Sequence, residues 1–261
     1  MIMKSKKLSI KIITLFPQFV EHFAEAFGIV KRAVKLKLLD IKALNLRSFG
    51  LDQRQTVDGR PYGGGVGMVL RADVLYKAIK RASSSAKASA DKKGIGLRAK
   101  TRVILLTPQG QKFNQKTAQR LANYNQLILV CGRYEGFDER IRNFVDEEIS
   151  IGDYVLMGGE LPALVVSEAV MRLRPRILGK DESTIDESFS DKTKSDGRQN
   201  LFLEYPQYTK PEKWKVESGK WKGKTLKVPK VLLTGHHKNI QDWRQAEAKK
   251  RTKKRRPDLI S

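Results

Sequence analysis

Three short glycine-bearing loops hold the residues best suited to chemistry: TPQG at 107–110, CGRYEG at 131–136 and SIGDYVLMGGE at 150–160. Each follows a run of the strand-forming kind, and in an open α/β sheet ligands bind where strands end. Glycine lets backbone amides approach a ligand closely and adopts φ angles closed to other residues. Any one of these loops alone reads as a turn; three in one domain point to a small-molecule site. Residues 131–170 also hold nine acids against three bases, an acidic island in a basic chain. It suits a small cation or carboxylate chemistry, and reads equally as acidic surface loops. Other chemistries drop out. The run GGGVG at 63–67 lacks the Lys-Ser/Thr of a P-loop and is not a Gly-x-Gly-x-x-Gly fingerprint after a strand. His22, His236, His237 and Cys131 do not make a zinc site, and no nucleophile elbow is present.

The elements that must position these loops are short strands alternating with helices. RVILLT at 102–107, QLILVCG at 126–132 and EEISIGDYVL at 147–156 read as strands, with a helix-like NQKTAQRLANY at 114–124 between the first two. That alternation predicts an α/β fold with a parallel sheet. LSIKIITLF at 8–16 reads as a first strand, followed by an amphipathic stretch over 17–27 and an ambiguous strand-or-helix segment at 36–46. Residues 70–82 place Leu70, Val74, Leu75, Ala78 and Ile79 on one helical face, and 161–172 reads as a helix ended by Pro175. Residues 83–100 are low-complexity and read as a surface insertion; 180–200 are polar and read as a strand-free linker. A second, basic domain fills roughly 201–261, with a helix near 239–250 and a basic tail at 248–257.

Bulk charge names the partner class. The 261 residues carry 52 Lys and Arg against 28 Asp and Glu, a net of +24. With 131–170 at −6, the rest of the chain carries +30. Such an excess suits a polyanion, because each phosphate contact releases counterions. Nucleic acid is favoured over a membrane, since no Lys-rich segment flanks a strong apolar helix face. The apolar runs are too short to span a bilayer, and the basic-then-apolar start carries Lys11 without a small-residue cleavage site. One cysteine allows no intrachain disulfide, which suits a cytoplasmic location.

Longer motifs are more specific. PYGGGVGMVL at 61–70, TPQGQKFNQ at 107–115, CGRYEGFDER at 131–140 and DEEISIGDYVLMGGELPAL at 146–164 fall in one order with YPQYTKPEKW at 205–214 and VPKVLLTGHHKNIQDWR at 228–244. Together they resemble the bacterial tRNA (guanine-N1)-methyltransferases, which modify the guanine 3′ of the anticodon, and the resemblance spans nearly the whole chain. It implies a SPOUT-type α/β domain with a deep trefoil knot over 1–180, a linker at 181–200 and a small, mainly helical, tRNA-binding domain at 201–261. It also implies a homodimer whose linker carboxylate serves the partner's donor pocket, and S-adenosyl-L-methionine as donor.

By the same resemblance the donor meets Thr107, Pro108 and Gly110 in the first loop and Gly132 and Glu135 in the second. In the third it meets Ser150, Ile151, Gly152, Asp153, Tyr154, Val155 and Leu156, with Gly158, Gly159 and Pro162 close by. Backbone groups would read the adenine edge, and the carboxylates of Glu135 and Asp153 would favour the sulfonium charge. Guanine N1 carries a proton at neutral pH, so a carboxylate base must take it while a cation near O6 steadies the developing charge. Arg172 matches the family's arginine. At the base position the family reads Asp-Ser-Phe, whereas this chain has Glu187-Ser188-Phe189 with Asp186 one residue earlier. The carboxylate is kept with one extra methylene or a shifted register. Lys249, Lys250, Arg251, Lys253, Lys254, Arg255 and Arg256 suit phosphate contacts, while Tyr208, Trp214 and Trp243 suit base stacking or a core. Residues 191–200 and 215–222 are longer than the family pattern and read as loops. Other readings stay open at this point: a SPOUT enzyme acting elsewhere on RNA, or an inactive RNA-binding homologue.

Overall fold

The structure is a computed structural model that describes residues 7–88, 101–179, 187–189, 191–193 and 199–260. The chain divides into two compact units, Met1–Asp181 and Glu182–Ser261.

The first unit is built on a five-stranded parallel sheet in the order β2-β1-β6-β5-β7. Its strands are β1 (Leu8–Thr14), β2 (Leu39–Asn45), β5 (Thr101–Lys112), β6 (Gln126–Cys131) and β7 (Glu147–Ser150). β6 lies near the middle and every one of its residues is buried. Because side chains alternate along a strand, Leu127 and Leu129 join one core while Ile128 and Val130 join the other. The first core is closed by α1 (Pro17–Ala26), α2 (Gly28–Lys35), α4 (Gln115–Leu121) and α5 (Glu160–Met171). The second is closed by α3 (Ala72–Ala88), through Val74, Leu75, Ala78, Ile79 and Ala82. A parallel sheet covered on both faces needs such continuous apolar strands. A two-residue hairpin, β3 (Asp58–Gly59) with β4 (Val69–Leu70), bounds the glycine-rich loop.

Several elements differ from their sequence expectation. The segment 36–46 resolves as a strand, and α2 begins on Gly28 directly after α1. The expected strand over 147–156 stops at Ser150 and the remainder is loop. In contrast, β5 runs on through TPQG to Lys112. Its pairing with β7 slips between Leu106 and Gln111, so Pro108 sits where no ladder hydrogen bond is demanded of it. α3 reaches Ala88, inside the expected insertion at 83–100, whose later residues lie outside the described set.

In the second unit the segment 180–200 is not strand-free, since β8 (Asp191–Thr193) pairs antiparallel with β9 (Gln199–Leu201). A second antiparallel pair, β10 (Lys213–Lys215) with β11 (Thr225–Lys227), flanks the segment expected to be a loop at 215–222, which beyond Lys215 forms the connection between the two strands. α6 (His237–Arg255) takes in most of the basic tail. Thr252, buried in α6, accepts a hydrogen bond from Leu203 N at 2.9 Å, tying the helix to the segment after β9. Tyr208 and Trp243 pack with ring centroids 6.3 Å apart, so Trp243 is partly core. Trp214 is exposed.

Candidate active site

At the register slip of β5 and the carboxyl ends of β6 and β7 the three loops surround a cleft of about 350 Å³. The first loop contributes Thr107 and Pro108, the second Gly132 and Glu135. The third contributes Ser150, Ile151, Gly152, Tyr154, Val155 and Leu156, then Gly158, Gly159 and Pro162. Two expected donor residues stand apart from this lining. Gly110 is held against the backbone of β7, where an added Cβ would come within 2.5 Å of Ile149 N. Its smallness serves strand approach instead of a ligand. Asp153 is 82% exposed and paired with Lys112 Nζ at 2.5 Å, so it turns outward along β5. Of the two expected carboxylates, Glu135 alone lines the cleft.

The third loop leaves apolar side chains without cover. Val155 is 83% and Met157 92% exposed, and Tyr154 and Leu156 are also exposed. Such a run at the edge of a cleft is a surface awaiting a ligand or another chain. The loop is shaped by Ser150, whose hydroxyl donates to Gly152 O at 2.9 Å and accepts from Gly152 N at 3.2 Å. In the second loop Tyr134 adopts a φ of +59°, a left-handed conformation that non-glycine residues hold only when the surroundings enforce it.

Next to Tyr134 in the chain, Arg133 belongs to a pair that sequence spacing does not show. Glu160 opens α5 and is only 3% exposed. Its Oε2 receives Arg133 Nε at 3.1 Å and Arg133 Nη2 at 2.9 Å, while Oε1 accepts from the Thr14 hydroxyl at 2.7 Å. Thr14 Oγ1 in turn accepts from Phe16 N at 2.9 Å, and the Arg133 guanidinium stacks 4.4 Å from the Phe16 ring centre. Arg133 Nη1 also reaches Met157 O at 3.2 Å. Gly159 N donates to Gly132 O at 2.9 Å, joining the second and third loops directly. Three segments distant in sequence are thereby fixed around the cleft: the end of β1, the second loop, and the third loop where it runs into α5. The carboxylate at the first turn of α5 is also favoured by the helix dipole. Side chains at 158 and 159 would be driven into this assembly; at Gly159 an added Cβ would lie 2.7 Å from the Cys131 Cα and the Gly132 N.

Cys131 lies beneath these loops, and burial, followed by the nearby Glu160 charge, pushes its thiol well above the ordinary value. A thiol so held is not a nucleophile. Arg142, at the other side of the cleft, bonds Glu148, Glu139 at 2.7 Å and Gln109 Oε1 at 2.5 Å. The bond to Glu148, then that to Glu139, raise its affinity for its proton. Arg133, Arg142 and Gln109 were not expected from sequence, although Arg133 lies within the quoted CGRYEG motif. Among the described residues no group of three His, Cys, Asp or Glu side chains gathers to hold a metal ion.

Arg172 caps the carboxyl end of α5 through its backbone N–H to Glu168 O at 3.1 Å. A cation there is favoured by the helix dipole. Glu187 belongs to the second unit, on the wall of a cavity of about 510 Å³ with Phe202, Glu204, His237 and Arg244. Asp186 lies outside the described residues.

Comparison with known proteins gives one consistent result. The family described as tRNA (Guanine-1)-methyltransferase TrmD matches residues 8–261. A tRNA (guanine-N(1)-)-methyltransferase of Dictyoglomus turgidum is 43% identical over 253 residues, 97% of this chain and 90% of that protein. One of Glaesserella parasuis is 46% identical over 252 residues, 96% of this chain and 89% of that protein. One of Bacillus pumilus is 41% identical over 254 residues, 97% of this chain and 92% of that protein.

Proposed function

The chain belongs to the tRNA (guanine-1)-methyltransferase family, and from that premise we propose that it methylates N1 of the guanine 3′ of the anticodon, with S-adenosyl-L-methionine as donor. The observation that carries this reading is the cleft at the strand ends, with its uncovered apolar loop, in a chain matched from residue 8 to residue 261. The cleft is large enough for a nucleoside-sized group, and its mixture of apolar side chains with backbone amides suits adenine and ribose. Glu135 supplies a carboxylate on the same wall for a cationic centre. The bound donor supplies an electrophilic methyl group; the residues of the chain must do the rest.

In this reading the loops position the donor, Glu187 or Asp186 accepts the N1 proton of guanine, and Arg172 steadies the negative charge growing toward O6. Arg133, Glu160 and Thr14 hold the loops in place without touching the reacting atoms. The active species is a homodimer. Support for it comes from α1 and α5, which pack together in the first unit and leave Phe16, Phe19, Leu161 and Val165 exposed. The knot, the domain limits at 180 and 201, and a cytoplasmic setting belong to the same proposal. No described helix is long and apolar enough to cross a membrane. The basic residues of α6 are assigned to the tRNA backbone.

The test is mass spectrometry of nucleosides from tRNA incubated with the protein and S-adenosyl-L-methionine. The expected product is 1-methylguanosine next to the anticodon. Methylation at another atom or another position, or none, overturns the assignment.

A further inference from the structure

The second unit carries an element that the cleft chemistry does not use. β10 and β11 pair with Trp214 opposite Leu226 and Lys213 opposite Lys227. The hairpin is closed by Val216 N to Lys224 O and Gly223 N to Val216 O, both 2.9 Å, and its base by Val228 N to Glu212 O at 2.9 Å. Gly219 and Gly223, at φ +72° and +82°, make the turns that carry the chain back. All six strand residues are exposed. A two-stranded hairpin that buries neither face gains little stability for its owner.

Its composition shows what it is suited to hold. Residues 213–227 contain six lysines and one glutamate. Among the described residues none of those lysines makes an ion pair. Alternation puts Trp214 and Leu226 on one face and Lys213, Lys215 and Lys227 on the other. Trp221, 49% exposed, has Lys224 Nζ 4.5 Å and Lys220 Nζ 5.6 Å from its ring centre. Trp214 is 58% exposed. Aromatic faces set among lysines that make no ion pair with the described residues form a stacking platform with phosphate contacts around it, the arrangement that binds unpaired nucleotides. For a membrane surface the apolar area is too small and is not part of an amphipathic helix.

We propose that the 213–227 hairpin is an RNA-contact arm, in which Trp214 and Trp221 stack on unpaired bases of the substrate tRNA and the surrounding lysines meet its phosphates. The proposal rests on the reading that the chain acts on tRNA. The charge complement is direct: residues 213–227 carry six lysines against one glutamate, and the partner is a polyanion.

The experiment uses the full chain with Lys213, Lys215, Lys222 and Lys224 changed to Gln, and separately Trp221→Ala. Binding of tRNA is followed by quenching of tryptophan fluorescence, and methyl transfer by KM and kcat. The lysine variant is expected to weaken tRNA binding and raise KM about 10-fold or more at physiological salt. It should flatten the slope of log affinity against log salt by about 1 to 3, with kcat and S-adenosyl-L-methionine affinity within about twofold. Trp221→Ala is expected to weaken tRNA binding about 10-fold with an unaltered salt slope. Unchanged affinity and slope in both variants overturn the proposal. So does capture of wild type by phosphatidylserine vesicles, lost in the lysine variant, with tRNA binding untouched. Because quenching requires no turnover, a wild type that binds tRNA through the hairpin yet forms no 1-methylguanosine sinks the functional reading and leaves the arm standing.

Discussion

Glu160→Ala removes the carboxylate on which Arg133 and Thr14 converge. Glu160 is 3% exposed, while the Arg133 side chain is 26% exposed. Breaking a buried pair from one side costs about 3–5 kcal/mol, because the remaining charge is left without a partner. Water reaches part of Arg133, so the expected loss lies near the lower end, about 3 kcal/mol. Glu160→Gln keeps the volume but leaves one acceptor oxygen in place of two, so it can accept from Arg133 or from Thr14 and not from both, and it carries no charge opposite Arg133; the expected loss is about 1–3 kcal/mol. Urea unfolding followed by circular dichroism gives both values from the midpoint at constant slope. Calorimetric titration with S-adenosyl-L-methionine gives the second half of the test. With Arg133 released, Met157 O and the third loop lose their tether, so donor affinity should fall at least about 10-fold in the alanine variant, equivalent to about 1.4 kcal/mol. An alanine variant within about 0.5 kcal/mol of wild type, with donor affinity unchanged, would refute the view that this pair organises the cleft.

Gly110→Ala should lower stability by about 1–3 kcal/mol, toward the upper end because the atoms met belong to the β7 main chain, as read from the urea midpoint. Glu187→Gln should slow single-turnover methylation about 100- to 10,000-fold with donor affinity unchanged, and Asp186→Asn much less; exchanged results would shift the base by one residue. Glu147 is destabilised as an anion by burial, but bonds from Arg120 and Arg102 outweigh this and hold its carboxyl below the usual 4.5. A depressed carboxylate contributes stability above its unfolded value and loses it as pH falls through the folded one. The stability gap between wild type and Glu147→Gln should therefore be constant above about pH 5 and close below pH 4 in thermal melts; a gap that widens in acid would contradict the bonding. Affinity for tRNA should drop steeply with salt while donor affinity barely moves, and equal slopes would contradict the assignment of the basic surface to RNA.

The parallel sheet was legible because its inner strands are short continuous apolar runs, as at Leu127–Leu129–Val130, which only burial on both faces explains. The ends of elements were less so. Pro108 and Gly110 look like a terminating turn, yet β5 passes through them because a register slip relieves Pro108 of pairing. The β8–β9 pair was hidden by polar residues that carry no alternation. At the site, loop membership was readable from strand-end position, but side-chain direction was not: Asp153 sits among cleft residues in sequence and turns to Lys112. The Arg133–Glu160 pair spans 27 positions, a separation at which spacing carries no information and only the fold decides contact.

Cys131 turns the protein into its own reporter. It is the only cysteine in the chain, it is sealed at the end of the central strand β6, and its thiol is held protonated by burial. Alkylating reagents consume thiolate, so native chains should be modified only during moments when the sheet end opens. The rate of labelling then clocks that opening without any added probe. Its slowing when a ligand fills the cleft above measures how far occupancy clamps the three loops.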